Sequence, residues 1–138
     1  MILGMFIGAE RRFVHKEAGM KTHALVSLGA ALFVIVYEAM TAKYMNLPGL
    51  SPTMIVSQIV VGIGFLGAGS IILQGNRLLG LTTAGGLWVT AGIGMASGFG
   101  LLGLAIFTTI LVLFVLIVVN VWEKPLVKIS ENNENGSR

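Results

Sequence analysis

The stretch LLGLAIFTTILVLFVLIVVNV, residues 101–121, decides the fold class, because it is apolar over a length that can cross a bilayer. A helix of about 20 mostly apolar residues spans a hydrocarbon core of about 30 Å. The region without a charged side chain extends from Leu78 to Trp122, and a second such region separates Lys43 from Arg77. The surface of a soluble domain would need charges there. The stretch therefore predicts a transmembrane helix that faces lipid.

The composition extends this interpretation to the whole chain. Hydrophobic residues make up 55% of the sequence, charged residues only 11%, and the mean hydropathy is +0.89. These values lie outside the range of soluble globular domains. The chain contains no cysteine, which excludes a disulfide framework, a thiolate nucleophile and a cysteine metal site.

Turn and loop residues divide the chain into five apolar segments. We expect them at about residues 1–9, 22–42, 53–73, 82–96 and 101–121, followed by a polar, disordered tail at 123–138. The sequence therefore predicts an all-α membrane protein, a polytopic bundle of about five transmembrane helices. The first segment rises only about 13 Å as a helix. Either this helix begins upstream of Met1, or its neighbours tolerate a half-length segment.

The basic residues are unequally distributed between the two sides of this five-helix arrangement. Short cytoplasmic loops carry an excess of Lys and Arg. With the N-terminus outside, only Lys43 falls on the outer side, and the inner side holds Arg11, Arg12, Lys16, Lys21, Arg77, Lys124, Lys128 and Arg138. We therefore expect an outside N-terminus and a cytoplasmic tail.

The chain also shows a short internal similarity. Gly8-Ala9 matches Gly67-Ala68, and Gly19-Met20-Lys21-Thr22 matches Gly80-Leu81-Thr82-Thr83. One interpretation is a duplicated helical hairpin followed by a fifth helix, an arrangement in which transporters often place their sites. The other is chance similarity among helices rich in glycine and alanine.

Small residues recur four positions apart in the apolar segments. The pairs are Gly4/Gly8, Ser27/Ala31, Gly64/Ala68, Gly92/Ala96 and Gly94/Gly98. Such pairs let transmembrane helices approach closely. We expect them to serve packing within the chain, with a homodimer seam or broken helices that bind an ion as alternatives.

Polar residues at the inner ends of the segments form the predicted functional cluster. An ionisable side chain within a span is costly and is a functional candidate. We expect one cytoplasm-facing cluster of Glu10, Arg11, Arg12, Lys21, Thr22, His23, Arg77, Thr82 and Thr83. Glu38 lies about 24 Å further along its helix than Thr22, so Glu10 and Glu38 cannot share one metal ion.

The middle of the predicted membrane carries neutral polar residues and no pair of carboxylates. A magnesium site typically needs one or two carboxylates in near-octahedral geometry. Gln58 is the mid-membrane candidate, either for an interhelical hydrogen bond or for contact with a substrate. For His23 we expect packing or capping near the inner interface, with metal ligation as the alternative. No metal site is predicted.

No catalytic constellation is recognisable, so we expect neither an enzyme nor a bound cofactor. The chain has no HExxH and no phosphate-binding loop with its lysine. The glycine pattern at residues 62–67 has the GxGxxG form, but it lies inside a hydrophobic span. The basic stretch from Glu10 to Lys21 predicts contact with anionic lipid, not with nucleic acid.

Four ordered motifs keep consistent spacing through the hydrophobic part of the chain, to about Gly103. They are Gly8-Ala9-Glu10-Arg11, Ala18-Gly19-Met20-Lys21-Thr22-His23-Ala24-Leu25-Val26, Gly62-Ile63-Gly64-Phe65-Leu66-Gly67-Ala68-Gly69 and Gly80-Leu81-Thr82-Thr83-Ala84. At these motifs the sequence resembles the MgtC/SapB family of bacterial inner-membrane proteins. It departs from the family pattern at Met20-Lys21, where relatives commonly have Leu-Arg, and at Gly85-Gly86, where alanines are usual.

The resemblance implies a bacterial plasma-membrane protein linked to magnesium limitation and, in pathogens, to survival inside host cells. It also implies modulation of membrane energetics, including inhibition of the proton-translocating ATP synthase, more than magnesium transport. The longer relatives carry a soluble C-terminal domain, whereas this sequence resembles a short form without it. Residues 125–130 are then a stub of that domain, and any function that rests on it is in doubt.

Two classes of function therefore compete. The first is a non-enzymatic regulator that contacts a membrane partner such as the ATP synthase through its helices. The second is a transporter or channel component for magnesium or another cation. The missing mid-membrane carboxylates favour the regulator, although backbone carbonyls of a glycine-rich helix can form a filter.

Overall fold

The computed structural model describes the backbone of residues 1–44 and 51–135, and the side chains of residues 1–44, 51 and 53–122. Five helices and one β-hairpin make up this described part. Their bounds are α1 Ile2–Phe13, α2 Met20–Lys43, α3 Pro52–Gly69, β1 Ile72–Gln74, β2 Arg77–Leu79, α4 Leu81–Gly98 and α5 Leu102–Asn135. Most of the loop expected between the second and third segments, residues 45–50, lies outside it. The mostly helical fold class is confirmed.

The first helix is longer than the segment predicted at residues 1–9. It continues through Glu10, Arg11 and Arg12 to Phe13. Two physical reasons explain the extension: these residues are good helix formers, and basic side chains in the last turn interact favourably with the helix dipole. The chain then reverses through His15, which has a φ of 58°, and α2 begins after Gly19.

The helices alternate in direction. Gly8 of α1 lies against Gly19 and Met20 at the start of α2, whereas Gly4 lies against His23 one turn further along, so α1 and α2 are antiparallel. Gly67, near the end of α3, lies against Ala84, near the start of α4, so α3 and α4 are also antiparallel. The chain therefore folds as two antiparallel helical hairpins followed by α5, and the duplication of one hairpin from the other stays a prediction.

The contact between α2 and α4 is the most extensive in the bundle, and glycine makes it close. A Cβ atom added at Gly94 would lie 2.9 Å from Ser27 Cα, and one added at Gly98 would lie 2.9 Å from the carbonyl oxygen of Ala31. The predicted packing role is thus observed for Gly94/Gly98, Ser27/Ala31 and Gly4/Gly8. Gly64 and Gly92 have open space around the position of a Cβ and do not mediate such contacts.

The connection between α3 and α4 is not helical, so the all-α prediction is wrong in this detail. Strands β1 and β2 pair antiparallel, with Gln74 opposite Arg77. Gly75, the first residue of the two-residue turn, has a φ of 60°, a value that glycine adopts at the first central position of a type II′ turn. The predicted third segment therefore ends at Gly69 instead of residue 73.

The last helix continues beyond the predicted end of its apolar segment. Residues 123–135, expected to be disordered, are helical as part of α5. Extending an existing helix fixes few dihedral angles per hydrogen bond, so a long apolar helix can propagate into polar sequence. The division into a bundle at 1–122 and a tail at 123–138 thus does not coincide with a helix boundary.

Two helices of the described part are long and apolar enough to cross a membrane. They are Met20–Lys43, with a mean hydropathy of 1.9, and Leu102–Trp122, with a mean hydropathy of 3.0. Thr53–Gly69 is a shorter apolar helix. Only 11% of the apolar part of α5 is buried inside the protein, so its aliphatic surface is available to hydrocarbon. A complete five-span topology stays a prediction.

Candidate functional site

A charged pair lies where α1 meets α5. Arg11 Nε and Nη2 donate to the two carboxylate oxygens of Glu10, with 2.8 Å between Nη2 and Oε1. Asn120 Nδ2 of α5 donates to the same Oε1 at 2.9 Å. Both carboxylate oxygens of Glu10 are therefore engaged by donors, and the acid connects the first helix to the last.

Arg11 is the largest fully buried side chain in the described part, with 1% of its surface exposed. A buried guanidinium needs an opposite charge and hydrogen-bond acceptors to offset its desolvation. Glu10 provides the charge. Arg11 Nη1 has no hydrogen-bond partner among the described residues, so its two N–H groups are not satisfied by them.

A second buried polar group joins α2 to α4. His23 is completely buried, and its Nδ1 lies 2.8 Å from Thr90 Oγ1. The Thr90 hydroxyl donates its proton to the carbonyl oxygen of Gly86 at 2.8 Å. The Thr90 hydroxyl therefore links the imidazole of α2 to the backbone of α4.

His23 Nε2 is buried and has no hydrogen-bond partner among the described residues. Arg11 and Glu10 are the charged groups whose electrostatic fields reach the imidazole. Buried polar atoms are almost always satisfied by protein or by ordered water. Among the described residues, the interior near the starts of α2 and α4 thus holds two buried nitrogen atoms without a hydrogen-bond partner, Arg11 Nη1 and His23 Nε2.

Glycine makes room for the imidazole between the helices. A Cβ atom added at Gly86 would lie 3.4 Å from His23 Cε1, and one at Gly4 would lie 2.5 Å from the carbonyl oxygen of His23. The helices α1 and α4 therefore contact α2 from two sides at this residue. His23 therefore packs between α1 and α4 and forms a hydrogen bond to Thr90.

The other predicted cluster residues lie around this interior at the surface. Arg12, Lys21 and Thr22 are exposed and line a cavity of about 420 Å³. Thr83 is buried and lines a neighbouring cavity of about 390 Å³ together with Thr22. Arg77 on β2 and Thr82 at the start of α4 are both exposed.

The two remaining candidates lie far from the charged pair. Gln58 is exposed on α3 and lines an apolar cavity of about 560 Å³ between α2 and α3. Glu38 is exposed on α2, about 22 Å along the helix from His23. In residues 1–44 and 51–122, no group of three or more histidine, cysteine or acidic side chains is arranged to hold a metal ion.

The sequence interpretation missed Asn120 and did not connect Thr90 to His23. Asn120 interrupts an otherwise aliphatic run just before Trp122, and a polar amide there is a signal for an interhelical hydrogen bond. Thr90 was visible only as one of several neutral polar residues. Neither partner follows from sequence spacing, because the hydrogen bonds cross 110 and 67 positions of chain.

Comparison with known proteins gives relatives of this chain. The MgtC family profile matches residues 1–124. The chain is 47% identical over 113 residues to protein MgtC of Salmonella typhimurium, covering 82% of this chain and 46% of that protein. It is 42% identical over 130 residues to protein MgtC of Brucella abortus, covering 94% and 50% respectively.

A third relative carries a different name. The putative magnesium transporter YhiD of Escherichia coli is 45% identical over 112 residues, covering 80% of this chain and 52% of YhiD. The chain spans about half the length of the curated relatives it matches. No solved structure gives a significant match. The family profile and these relatives show that the chain belongs to the MgtC family.

Proposed function

We propose that this chain is a non-enzymatic, multi-pass protein of the bacterial plasma membrane that acts in magnesium homeostasis as a regulator. In this proposal it modulates membrane energetics by contact with a membrane protein partner, for which the family resemblance suggests the ATP synthase. Glu10 is held by Arg11 and Asn120, and this observation favours a regulator over a carrier.

The geometry of Glu10 bears on how magnesium could be bound. A carrier needs carboxylate or carbonyl oxygens with free lone pairs near the cation, together with retained waters. One oxygen of Glu10 accepts from Arg11 Nε, and the other accepts from Arg11 Nη2 and Asn120 Nδ2. The adjacent guanidinium also repels a divalent cation. Glu10 is therefore suited to connect helices and not to coordinate magnesium.

The outer surface of the bundle suits contact with lipid and with other transmembrane helices. Large apolar side chains on α5 point away from the protein, including Phe107, Phe114 and Ile117. The two candidate spans are mostly unburied along their length. A partner helix, or a second copy of this chain, can pack against such a face by van der Waals contact.

The proposed regulation is tested with inverted membrane vesicles in which ATP hydrolysis drives proton uptake. Vesicles that contain the protein should acidify more slowly on ATP than vesicles without it, whereas acidification driven by NADH oxidation should be equal. Glu38→Gln serves as the matched control for Glu10→Gln, with both proteins brought to equal membrane levels. Equal ATP-driven acidification with and without the protein would refute the ATP synthase as its partner.

The alternative function is a magnesium transporter or a component of one, and the name of the YhiD relative favours it. In that case Glu10 has to exchange Arg11 and Asn120 for a cation during each transport cycle. Gln58 is the second residue on which a transport cycle would depend, because its amide lines the apolar cavity between α2 and α3.

A further inference from the structure

We propose that the surface groove along α2 and α3 binds one anionic phospholipid of the inner leaflet. The headgroup phosphate lies at Arg12 and Lys21, and an acyl chain lies between α2 and α3. This inference rests on the membrane insertion proposed for the chain, but not on the identity of any regulatory partner.

Three neighbouring cavities form this groove, and each shares two lining residues with the next. The head cavity, about 420 Å³, and the neck cavity, about 390 Å³, share Glu17 and Thr22. The neck cavity and the trough, about 560 Å³, share Val26 and Leu66. The three cavities therefore adjoin one another from the start of α2 to the apolar space between α2 and α3.

The chemistry changes along the groove in the order of the parts of a phospholipid. The head cavity is lined by Arg12 and Lys21, with one opposing carboxylate on Glu17. The neck cavity adds the hydroxyl groups of Thr22, Ser70 and Thr83. Two cations against one acid favour a lipid with net negative charge. The Thr22 and Thr83 hydroxyl groups can donate to the ester oxygens next to its phosphate, whereas the Ser70 hydroxyl donates to the carbonyl oxygen of Gly67.

The trough matches an acyl chain in length and polarity. Leu25, Phe33, Ile55 and Ile63 are among its apolar lining residues. From Lys21 to Phe33 the helix rises about 18 Å, which is close to half of a hydrocarbon core of about 30 Å. A chain anchored at the head cavity therefore extends to about the bilayer midplane, where Gln58 lies at the far end of the trough.

Glycine residues keep the trough open. Gly29 of α2 and Gly62 of α3 line it, and a Cβ atom at either position would have no neighbour within 4 Å. A larger side chain at these positions should therefore fill the trough without disturbing the helices. Gly64, on the same helix, has equally open surroundings but does not line the trough, which makes it the matched control.

Native mass spectrometry of the purified protein, with phosphatidylglycerol or phosphatidylethanolamine added in mixed micelles, tests the head cavity. The unmodified protein should retain one phosphatidylglycerol in preference to phosphatidylethanolamine. R12Q/K21Q should weaken phosphatidylglycerol retention about 30-fold, because each of the two basic residues near the phosphate contributes about 1 kcal/mol. K16Q/K43Q removes the same charge elsewhere and should have no effect, whereas Glu17→Gln should strengthen retention.

The same measurement with Gly62→Leu and Gly29→Leu tests the trough. Both variants should lose bound phosphatidylglycerol, while Gly64→Leu retains it. The proposal is wrong if phosphatidylethanolamine is retained equally, if the two double variants behave alike, or if Gly62→Leu and Gly64→Leu retain the same amount. A change from dimer to monomer in Gly62→Leu, without loss of lipid, would assign the trough to a second copy of this chain. None of these outcomes decides whether the protein regulates the ATP synthase, because the ATP-driven acidification assay tests that separately.

Discussion

Asn120 near the end of the apolar part of α5 donates a 2.9 Å hydrogen bond to Glu10 near the end of α1, across 110 positions of chain. The contact brings the first and last helices together at the same end of the bundle as the starts of α2 and α4. Since Glu10 also neutralises the buried Arg11, one side chain supports both the packing and the electrostatics of that end.

Replacing Glu10 should destabilise the protein strongly. Glu10→Gln leaves the Arg11 guanidinium buried without an opposite charge, and removing one partner of a buried pair costs about 3–5 kcal/mol. Glu38→Gln, at an exposed position, should change stability by less than about 0.5 kcal/mol. Thermal unfolding in detergent, followed by circular dichroism, measures both. Equal midpoints for the two variants would show that the pair contributes little to folding.

Removing the Thr90 hydroxyl, the hydrogen-bond partner of His23, should destabilise the contact between α2 and α4. Thr90→Val keeps the shape of the side chain but leaves His23 Nδ1 buried without a partner, at a cost of about 1–3 kcal/mol. Thr53→Val, at an exposed position of α3, is the matched control. Unfolding midpoints in detergent give the comparison. If Thr90→Val unfolds at the same midpoint as Thr53→Val, the hydrogen bond does not support the helix contact.

A methyl group should be tolerated at one glycine of α4 and not at another. Gly94→Ala places a Cβ against the backbone of Ser27, 2.9 Å from its Cα, so the helices must separate. Overpacking of this kind costs about 1–3 kcal/mol. Gly92→Ala meets nothing within 4 Å and should be neutral or slightly stabilising. The same unfolding assay distinguishes them, and two equally stable variants would contradict the close contact of α2 with α4.

These contacts show how far the sequence can be interpreted. The apolar segments, their small residues and the charge distribution predicted a mostly helical fold with the boundaries of α2 close to those observed. Helix ends were less predictable from hydropathy. The end of α1 depends on helix propensity and the helix dipole, and the end of α5 depends on how far the helix extends into polar sequence. The β-hairpin was missed because Gly75 and Asn76 were interpreted as a simple loop.

The candidate site was predictable in part. The cost of burying an ionisable side chain pointed to Glu10, His23 and Glu38, and Arg11 was one of the nine residues expected in the inner cluster. The structure buries Arg11 and His23 fully and leaves Glu38 exposed. Which residues they contact depends on helix rotation and crossing, so Asn120 and Thr90 could not be assigned as partners. Arg77 and Thr82 follow the same charge and repeat patterns but lie exposed, and their role in a common cluster stays a prediction.

The proposed topology has five spans, an outside N-terminus and a cytoplasmic C-terminal tail. Since the chain has no cysteine, single cysteines at Lys16, Asn46, Asn76 and Asn132 report their location cleanly. An impermeant thiol reagent applied to intact cells should label only the cysteine at position 46, because the other three positions face the cytoplasm. Labelling at position 76 from outside would contradict the topology.

The most direct test of the central claim, that this chain is a regulator and not a carrier, is magnesium influx into liposomes. Purified protein is reconstituted into vesicles loaded with a magnesium-sensitive dye, beside empty vesicles and vesicles containing Glu38→Gln protein. We expect influx at the background rate of empty vesicles at every external magnesium concentration, because Glu10 is held by Arg11 and Asn120. Saturable influx that is lost on substitution of Glu10 or Gln58 would contradict this account and establish a transporter.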